Sequence, residues 1–272
     1  VRTFTLFAAC LLGTVALPTG AKGADWRMPN ADPRRTGFTS ETVSGPFALQ
    51  WATEFAGEKL ATTVQAIAVG RLVYVGTQSG HLYALDRESG RPKWKHVGGA
   101  PIMHSPAVEN GRLYYTTSGR SGSLVALDAA TGKGLWRFRA AGGFVVSPLP
   151  VGDTVYLGGR DGNFYGVDAR TGKERFRLVT GGPIRCSAAL AGQRVVFASD
   201  DMRAYAVHPA SGRLLWRSEP MYGQSFRDYF PVVIGDRILF RSVLAEETND
   251  DLNGGTQFLQ RQAGVSGGWK EL

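Results

Sequence analysis

One segment recurs four times at an almost fixed spacing, and no other feature of the chain restricts the fold as much. It reads ALDRESGRPKW at 84–94, ALDAATGKGLW at 126–136, GVDARTGKERF at 166–176 and AVHPASGRLLW at 206–216. Gly90, Gly132, Gly172 and Gly212 fall 42, 40 and 40 residues apart, and Trp94, Trp136, Phe176 and Trp216 keep the same steps. A period near 40, with short apolar runs between turns, marks one small unit repeated along or around an axis.

The unit itself is legible. In 105–138, SPAV opens a strand before an Asn-Gly turn, and Leu113–Thr116 forms a second. Leu124–Leu127 is a third, and Leu135–Phe138 alternates as a fourth. This is a four-stranded antiparallel meander. Asp86, Asp128 and Asp168 open the last turn, where a carboxylate accepts hydrogen bonds from amides two or three residues on. His208 takes that slot in the fourth unit. The glycine supplies the positive φ of a type I turn closed by a bulge. The aromatic residue on the outermost strand is placed to fill the wedge between neighbouring units. A lone four-stranded sheet cannot bury both faces, so the units must stack.

The units align as 61–97, 103–139, 145–179 and 185–219, and a fifth begins at Phe230 and fades after residue 243. Residues 244–272 read as an irregular or incomplete last unit. Residues 24–46 read as an N-terminal extension. Phe47–Trp51 reads as an orphan outer strand, with Trp51 lying 43 residues before Trp94, one period back. About five units are present, and the chain is expected to be a truncated ring.

The first 23 residues have a different character. Arg2, the apolar run 4–17 and the small-residue series Ala21-Lys22-Gly23-Ala24 form a secretory signal. A periplasmic or secreted protein is expected, and a lipid anchor at Cys10 ranks below that. Loss of Arg2 and Lys22 takes the net charge from +8 to +6. No dense basic run marks a nucleic-acid partner, and no apolar run is long enough for an ordinary membrane-spanning helix. Cys186 is then the one remaining cysteine, expected to be half-buried and structural at the start of a strand.

The stretch GRLVYVGTQSGHLYALDRESGRPKW at 70–94 resembles the repeat of PQQ-type, quinoprotein-like β-propellers. DWRMPNADPRRTGFTSE at 25–41 is similar to the segment that precedes the first blade in exported members. WD40 propellers have a similar period, but here the outer Trp follows T-G-K instead of closing a W-D pair. The resemblance covers 25–243 and implies an all-β propeller of four-stranded blades. It does not imply one activity. Some members are similar to BamB, the propeller lipoprotein of outer-membrane barrel assembly, and others are quinone-dependent dehydrogenases.

The chemistry-bearing residues separate those classes only in part. A dehydrogenase of the family implies a vicinal cysteine pair, a catalytic Asp, and Glu and Asn ligands to calcium. The cysteine pair is absent. Asn249–Gly254 is oxygen-rich, but its spacing suits a solvated loop. His81, His96, His104 and His208 form no metal-binding spacing. No catalytic residues and no metal site are therefore assigned, and no cofactor is expected. PQQ with calcium is the alternative.

Meander parity puts the loop between strands two and three on the same face as the connector to the next unit. On that face lie Gln78, His104, Arg120, Phe144, Arg160, Asp161, Arg185, Asp200, Asp201, Arg227, Asp228 and Tyr229. His104, Arg120, Arg160, Arg185, Arg227, Asp228 and Tyr229 are the candidate ligand or partner rim. The arginines suit carboxylates, phosphates or an acidic peptide, and the bland reading is four solvated side chains. The connector 219–229 breaks the repeat with several aromatic residues. The first function class is a non-enzymatic exported scaffold that binds an envelope protein or polymer. The second is a PQQ-dependent dehydrogenase, or a fragment of one, that oxidises alcohols or sugars.

Overall fold

A computed structural model describes residues 24–42, 44–119, 122–227, 229–243, 256–261 and 269–271. Among them it contains no helix. The first sheet comprises β1 (Ile67–Val69), β2 (Leu72–Gly76), β3 (His81–Asp86) and β4 (Pro92–Val97). The second comprises β5 (Ala107–Glu109), β6 (Arg112–Thr116), β7 (Ser123–Asp128) and β8 (Gly134–Arg139). The third comprises β9 (Leu149–Val151), β10 (Thr154–Gly158), β11 (Asn163–Asp168) and β12 (Glu174–Val179). The fourth comprises β13 (Ala189–Ala191), β14 (Arg194–Ser199), β15 (Arg203–Val207) and β16 (Leu214–Arg217). The fifth comprises β17 (Val232–Ile234), β18 (Arg237–Arg241), β19 (Thr256–Arg261) and β20 (Trp269–Glu271).

Every sheet is a sequential antiparallel meander. The innermost strands meet across blades, β1 and β9 against β5 and β17 against β13, in a propeller arc that is not a closed ring. Apolar layers fill the space between blades. Tyr74, Leu82 and Ala84 of the first blade pack with Val108, Leu113 and Leu127 of the second, and the later pairs repeat this.

The turn before each outermost strand follows its sequence. Asp86 Oδ1 accepts from the amides of Glu88 (3.2 Å) and Ser89 (3.0 Å). Asp128 accepts from Thr131 N at 2.9 Å and Asp168 from Thr171 N at 2.8 Å. In the fourth blade, Ser211 Oγ lies 3.3 Å from His208 Nδ1. The glycines have φ of +67°, +72°, +71° and +66°, and the register shifts beside each turn. A second constraint is invisible in the motif. A Cβ on Gly132 would lie 2.6 Å from the Trp94 ring, and one on Gly172 would lie 2.6 Å from the Trp136 ring. Phe176 covers Gly212 in the same way. Trp94, Trp136 and Phe176 are thus each seated on the turn glycine of the next blade.

The carbonyl beside that turn ties neighbouring blades. Ala129 O accepts from Tyr74 Oη (3.1 Å) and Trp94 Nε1 (3.2 Å). Ala169 O accepts from Tyr114 Oη (3.2 Å) and Trp136 Nε1 (3.2 Å). Pro209 O accepts from Tyr156 Oη at 3.1 Å, where Phe176 has no N–H to add.

Three sequence expectations need correction. Phe47–Trp51 belongs to no strand or sheet, because no third strand lies beside it among the described residues. Trp51 nevertheless covers Gly90 and donates to Arg87 O at 2.9 Å, the contact an outer strand supplies. Cys186 precedes β13 and is fully buried, not half-buried, because it packs with Ala189, Val196 and Phe226. Burial pushes its thiol up to about 12. After residue 243 the motif is lost, yet β19 pairs with β18 and β20 with β19, giving the fifth blade four strands. Backbone pairing needs no signature residues there. Residues 1–23, with Cys10 and the predicted signal, and the Asn249–Gly254 loop lie outside the described residues.

Candidate functional site

The N-terminal extension does not hang free of the blades. Residues 26–35 run along the axial edges of the blades and bond to the innermost strands β1, β5, β13 and β17. Trp26 pairs with Ala68, and Val108 N donates to Arg27 O at 2.7 Å. Leu190 N donates to Pro33 O at 2.7 Å and Val233 N to Arg34 O at 3.0 Å. These bonds satisfy inner-edge amides that would otherwise face the axis unpaired.

Arg35 locks this plug. It is fully buried and has φ of +61°. Its guanidinium donates to three carbonyls: Pro29 O (3.0 Å), Ala188 O (3.1 Å) and Pro148 O (3.4 Å). Asp32, its nearest counter-charge in sequence, accepts from Thr36 Oγ1 at 2.5 Å and acts on Arg35 through its charge, without a direct hydrogen bond between the two side chains. Burial brings Arg35 down to about 10, so it remains a cation at neutral pH. Nothing in the repeat pattern points to this residue. Its signal lies in the run PNADPRRTG, where Asn30, Ala31, Arg35 and Gly37 all take positive φ.

Above the plug, at the end where the innermost strands begin, lies a cavity of about 170 Å³. Pro29 lies in its wall from the plug. The blades contribute in order Thr62, His104, Ser147, Arg185 with Ser187, and Phe230. Ser105, Ser147 and Ser187 recur at the repeat spacing, a signal that the turn motif overshadows. They also link blades, for Gln65 N donates to Ser105 Oγ at 2.7 Å and Ser147 N to Ser187 Oγ at 2.9 Å.

Of the predicted rim, the structure brings His104 and Arg185 into this one cavity. Arg185 Nε lies 3.3 Å from Asp200 Oδ2, and Asp200 is anchored by Ser225 Oγ at 2.8 Å. Arg160 is exposed outside the cavity wall, its amide donating to Gly143 O at 3.0 Å. Arg227 is also exposed, and its amide donates to Ser225 Oγ at 3.0 Å. Tyr229 is half-buried beneath the Arg241 guanidinium at 4.7 Å, and its carbonyl accepts from Ser187 N at 3.1 Å. Arg120 and Asp228 lie outside the described residues. Phe144 belongs to the core, packed against Phe138 and Tyr165.

The loop carboxylates act locally. Tyr165 Oη donates to Asp161 Oδ2 at 2.6 Å, and Tyr205 Oη donates to Asp201. The first blade has Ser79 at that position, and Glu58 from the preceding segment takes over. Glu58 accepts from Tyr83 Oη and Thr77 Oγ1, both at 2.6 Å, and lies 2.6 Å from His81 Nδ1. Lys95 Nζ is 3.5 Å away. Burial raises the Glu58 carboxyl, but the bonds from Thr77, Tyr83 and His81 outweigh it and bring it down to about 2.

The axial residues do not fit PQQ with calcium. Sites for ligands of that size run to about 300–1,000 Å³, and this cavity is about 170 Å³. Calcium takes carboxylate and carbonyl oxygens. Among the described residues no Asp or Glu lines the cavity, and no cluster of three His, Cys, Asp or Glu suits a metal.

The sequence model of a family described as outer membrane protein assembly factor BamB matches residues 42–180 and 99–243. A polyvinylalcohol dehydrogenase of a Pseudomonas species is 33% identical over 95 residues, 33% of this chain and 14% of that protein. The crystal structure of BamB from Moraxella catarrhalis is similar with a TM-score of 0.58 at 21% identity, over 75% of this chain and 57% of that one. Quinohemoprotein alcohol dehydrogenase from Comamonas testosteroni is similar with a TM-score of 0.65 at 15% identity, over 87% and 46%. The chain thus spans about half the length of these solved relatives and a smaller part of the curated one.

Proposed function

The chain belongs to the outer membrane protein assembly factor BamB family of PQQ-type repeat propellers, and on that premise we propose that it is a non-enzymatic binding scaffold of the cell envelope. One observation carries the reading. The axis, where a propeller has room for a large ligand, is occupied by the chain's own residues 26–35, pinned by the buried Arg35. Capacity for a large partner then lies on the exposed face of the connectors. There Tyr222, 82% exposed, projects from the irregular segment 219–229. Aromatic side chains on loops held by a rigid scaffold supply contact area at low entropic cost. The partner is an envelope protein, and the predicted export signal accords with that compartment.

A second reading is favoured by the stretch shared with polyvinylalcohol dehydrogenase. In it the blades are part of a quinone-dependent oxidoreductase whose cofactor contacts come from outside the described residues.

The scaffold reading is tested with a photo-crosslinking residue at Tyr222 and, separately, at Asp236 on the opposite face, in cells that export the protein. A discrete adduct from position 222 and none from 236 is expected. Equal adducts from both positions, or none from 222, would contradict it.

A further inference from the structure

We infer that the axial cavity is a binding site for one small oxyanion group, a carboxylate or a phosphate. Two independent observations converge on it. The first is the wall. Arg185 lines the cavity with its Nε 3.3 Å from Asp200 Oδ2, and a guanidinium in such a pair carries further N–H donors that an acceptor in the cavity can use. Ser187 Oγ accepts the Ser147 amide, so its own hydroxyl hydrogen is available to donate. Thr62 adds a second hydroxyl, His104 lies in the same wall, and no described carboxylate does.

The second observation lies beneath. Arg35 is a wholly buried cation that spends its donors on the carbonyls of Pro29, Pro148 and Ala188. Each of these is a lining residue or the chain neighbour of one, namely Pro29 itself, Ser147 and Ser187. Their oxygens are therefore turned toward Arg35, and a positive charge sits under the floor. A buried charge is costly, and the three carbonyls and the Asp32 carboxylate offset only part of that cost, since burial still lowers the Arg35 pKa. An anion in the cavity adds to that offset, and the volume limits it to a group of a few heavy atoms. The inference stands apart from the scaffold reading, since the site exists whether or not a protein partner binds.

The test uses the purified protein, titrated by calorimetry with inorganic phosphate and, in a second arm, with acetate. Ionic strength is held constant with chloride. Saturable 1:1 binding is expected in at least one arm with a Kd of roughly 1–10 mM, the range for a handful of charge-assisted contacts to a small ion. The arm that binds more tightly identifies the oxyanion. Thr62→Glu puts a carboxylate at the exposed lip of the cavity without touching the core, and should weaken binding at least tenfold with the melting temperature unchanged. Arg185→Gln should weaken it similarly. No saturation in either arm, or saturation that Thr62→Glu leaves intact, would overturn the inference.

Discussion

The shared carbonyl at each blade junction makes a quantitative prediction about coupling. Ala169 O receives two donors from the preceding blade, Tyr114 Oη and Trp136 Nε1, each at 3.2 Å. Ala169 is 4% exposed, so water does not substitute for them. Tyr114→Phe removes one oxygen and leaves the carbonyl one partner, which should cost about 1 kcal/mol. Trp136→Phe copies the third blade, where Phe176 fills the wedge, and should cost about 1–2 kcal/mol from the lost bond and the smaller ring. The double variant leaves a buried acceptor with neither donor. The desolvation penalty of that group, about 1–3 kcal/mol, then appears in full. The double variant should therefore exceed the sum of the singles by about 1 kcal/mol, read from urea unfolding followed by far-ultraviolet circular dichroism. Strict additivity would refute the reasoning, because it would mean the two donors do not share one acceptor.

Other expectations follow from the same contacts. Gly132→Ala combines a left-handed backbone with a Cβ 2.6 Å from the Trp94 ring, whereas Gly152→Ala at φ +58° meets nothing within 4 Å. The first should lose about 2–3 kcal/mol and the second about 1 kcal/mol in urea unfolding. Arg35→Met strands three buried carbonyls and should lower stability by about 3 kcal/mol or more, while Arg35→Lys recovers less than half because one ammonium cannot reach all three directions. Glu58 is held down to about 2, so its contribution is fully present above its ordinary value near 4.5 and fades as the pH falls from there toward 2. Glu58→Gln should remove that part of the acid dependence of the urea midpoint; an unchanged pH profile would mean the Thr77–His81–Tyr83 contacts do not hold the carboxylate.

The blades were legible because their signal is local. An Asp, a Thr or Ser and a Gly within six residues define a turn, and alternation defines the strands beside it. The partner of each Trp was half legible. The wedge could be inferred from Trp94, Trp136 and Phe176, but not that the ring rests on a glycine some 40 residues later. Trp51 shows that a contact can persist where the strand does not. The outer half of the fifth blade was hidden because pairing of β19 and β20 runs through backbone groups common to any sequence. For the candidate site, parity put His104 and Arg185 on one face, and both line the cavity there. It could not find the plug, because Arg35 earns its place through carbonyls 113 and 153 residues away. Parity put Arg160 and Arg227 on the same face, but it could not tell which loops there turn inward, and both arginines lie outside the cavity wall.

The occupied axis is the central claim, and adding PQQ and calcium to the purified protein tests it most directly. With residues 26–35 filling the axis, neither the visible absorbance of the quinone nor the melting temperature of the protein should change at equimolar or tenfold excess ligand. A stoichiometric spectral change together with a rise in melting temperature would contradict it and favour the dehydrogenase reading.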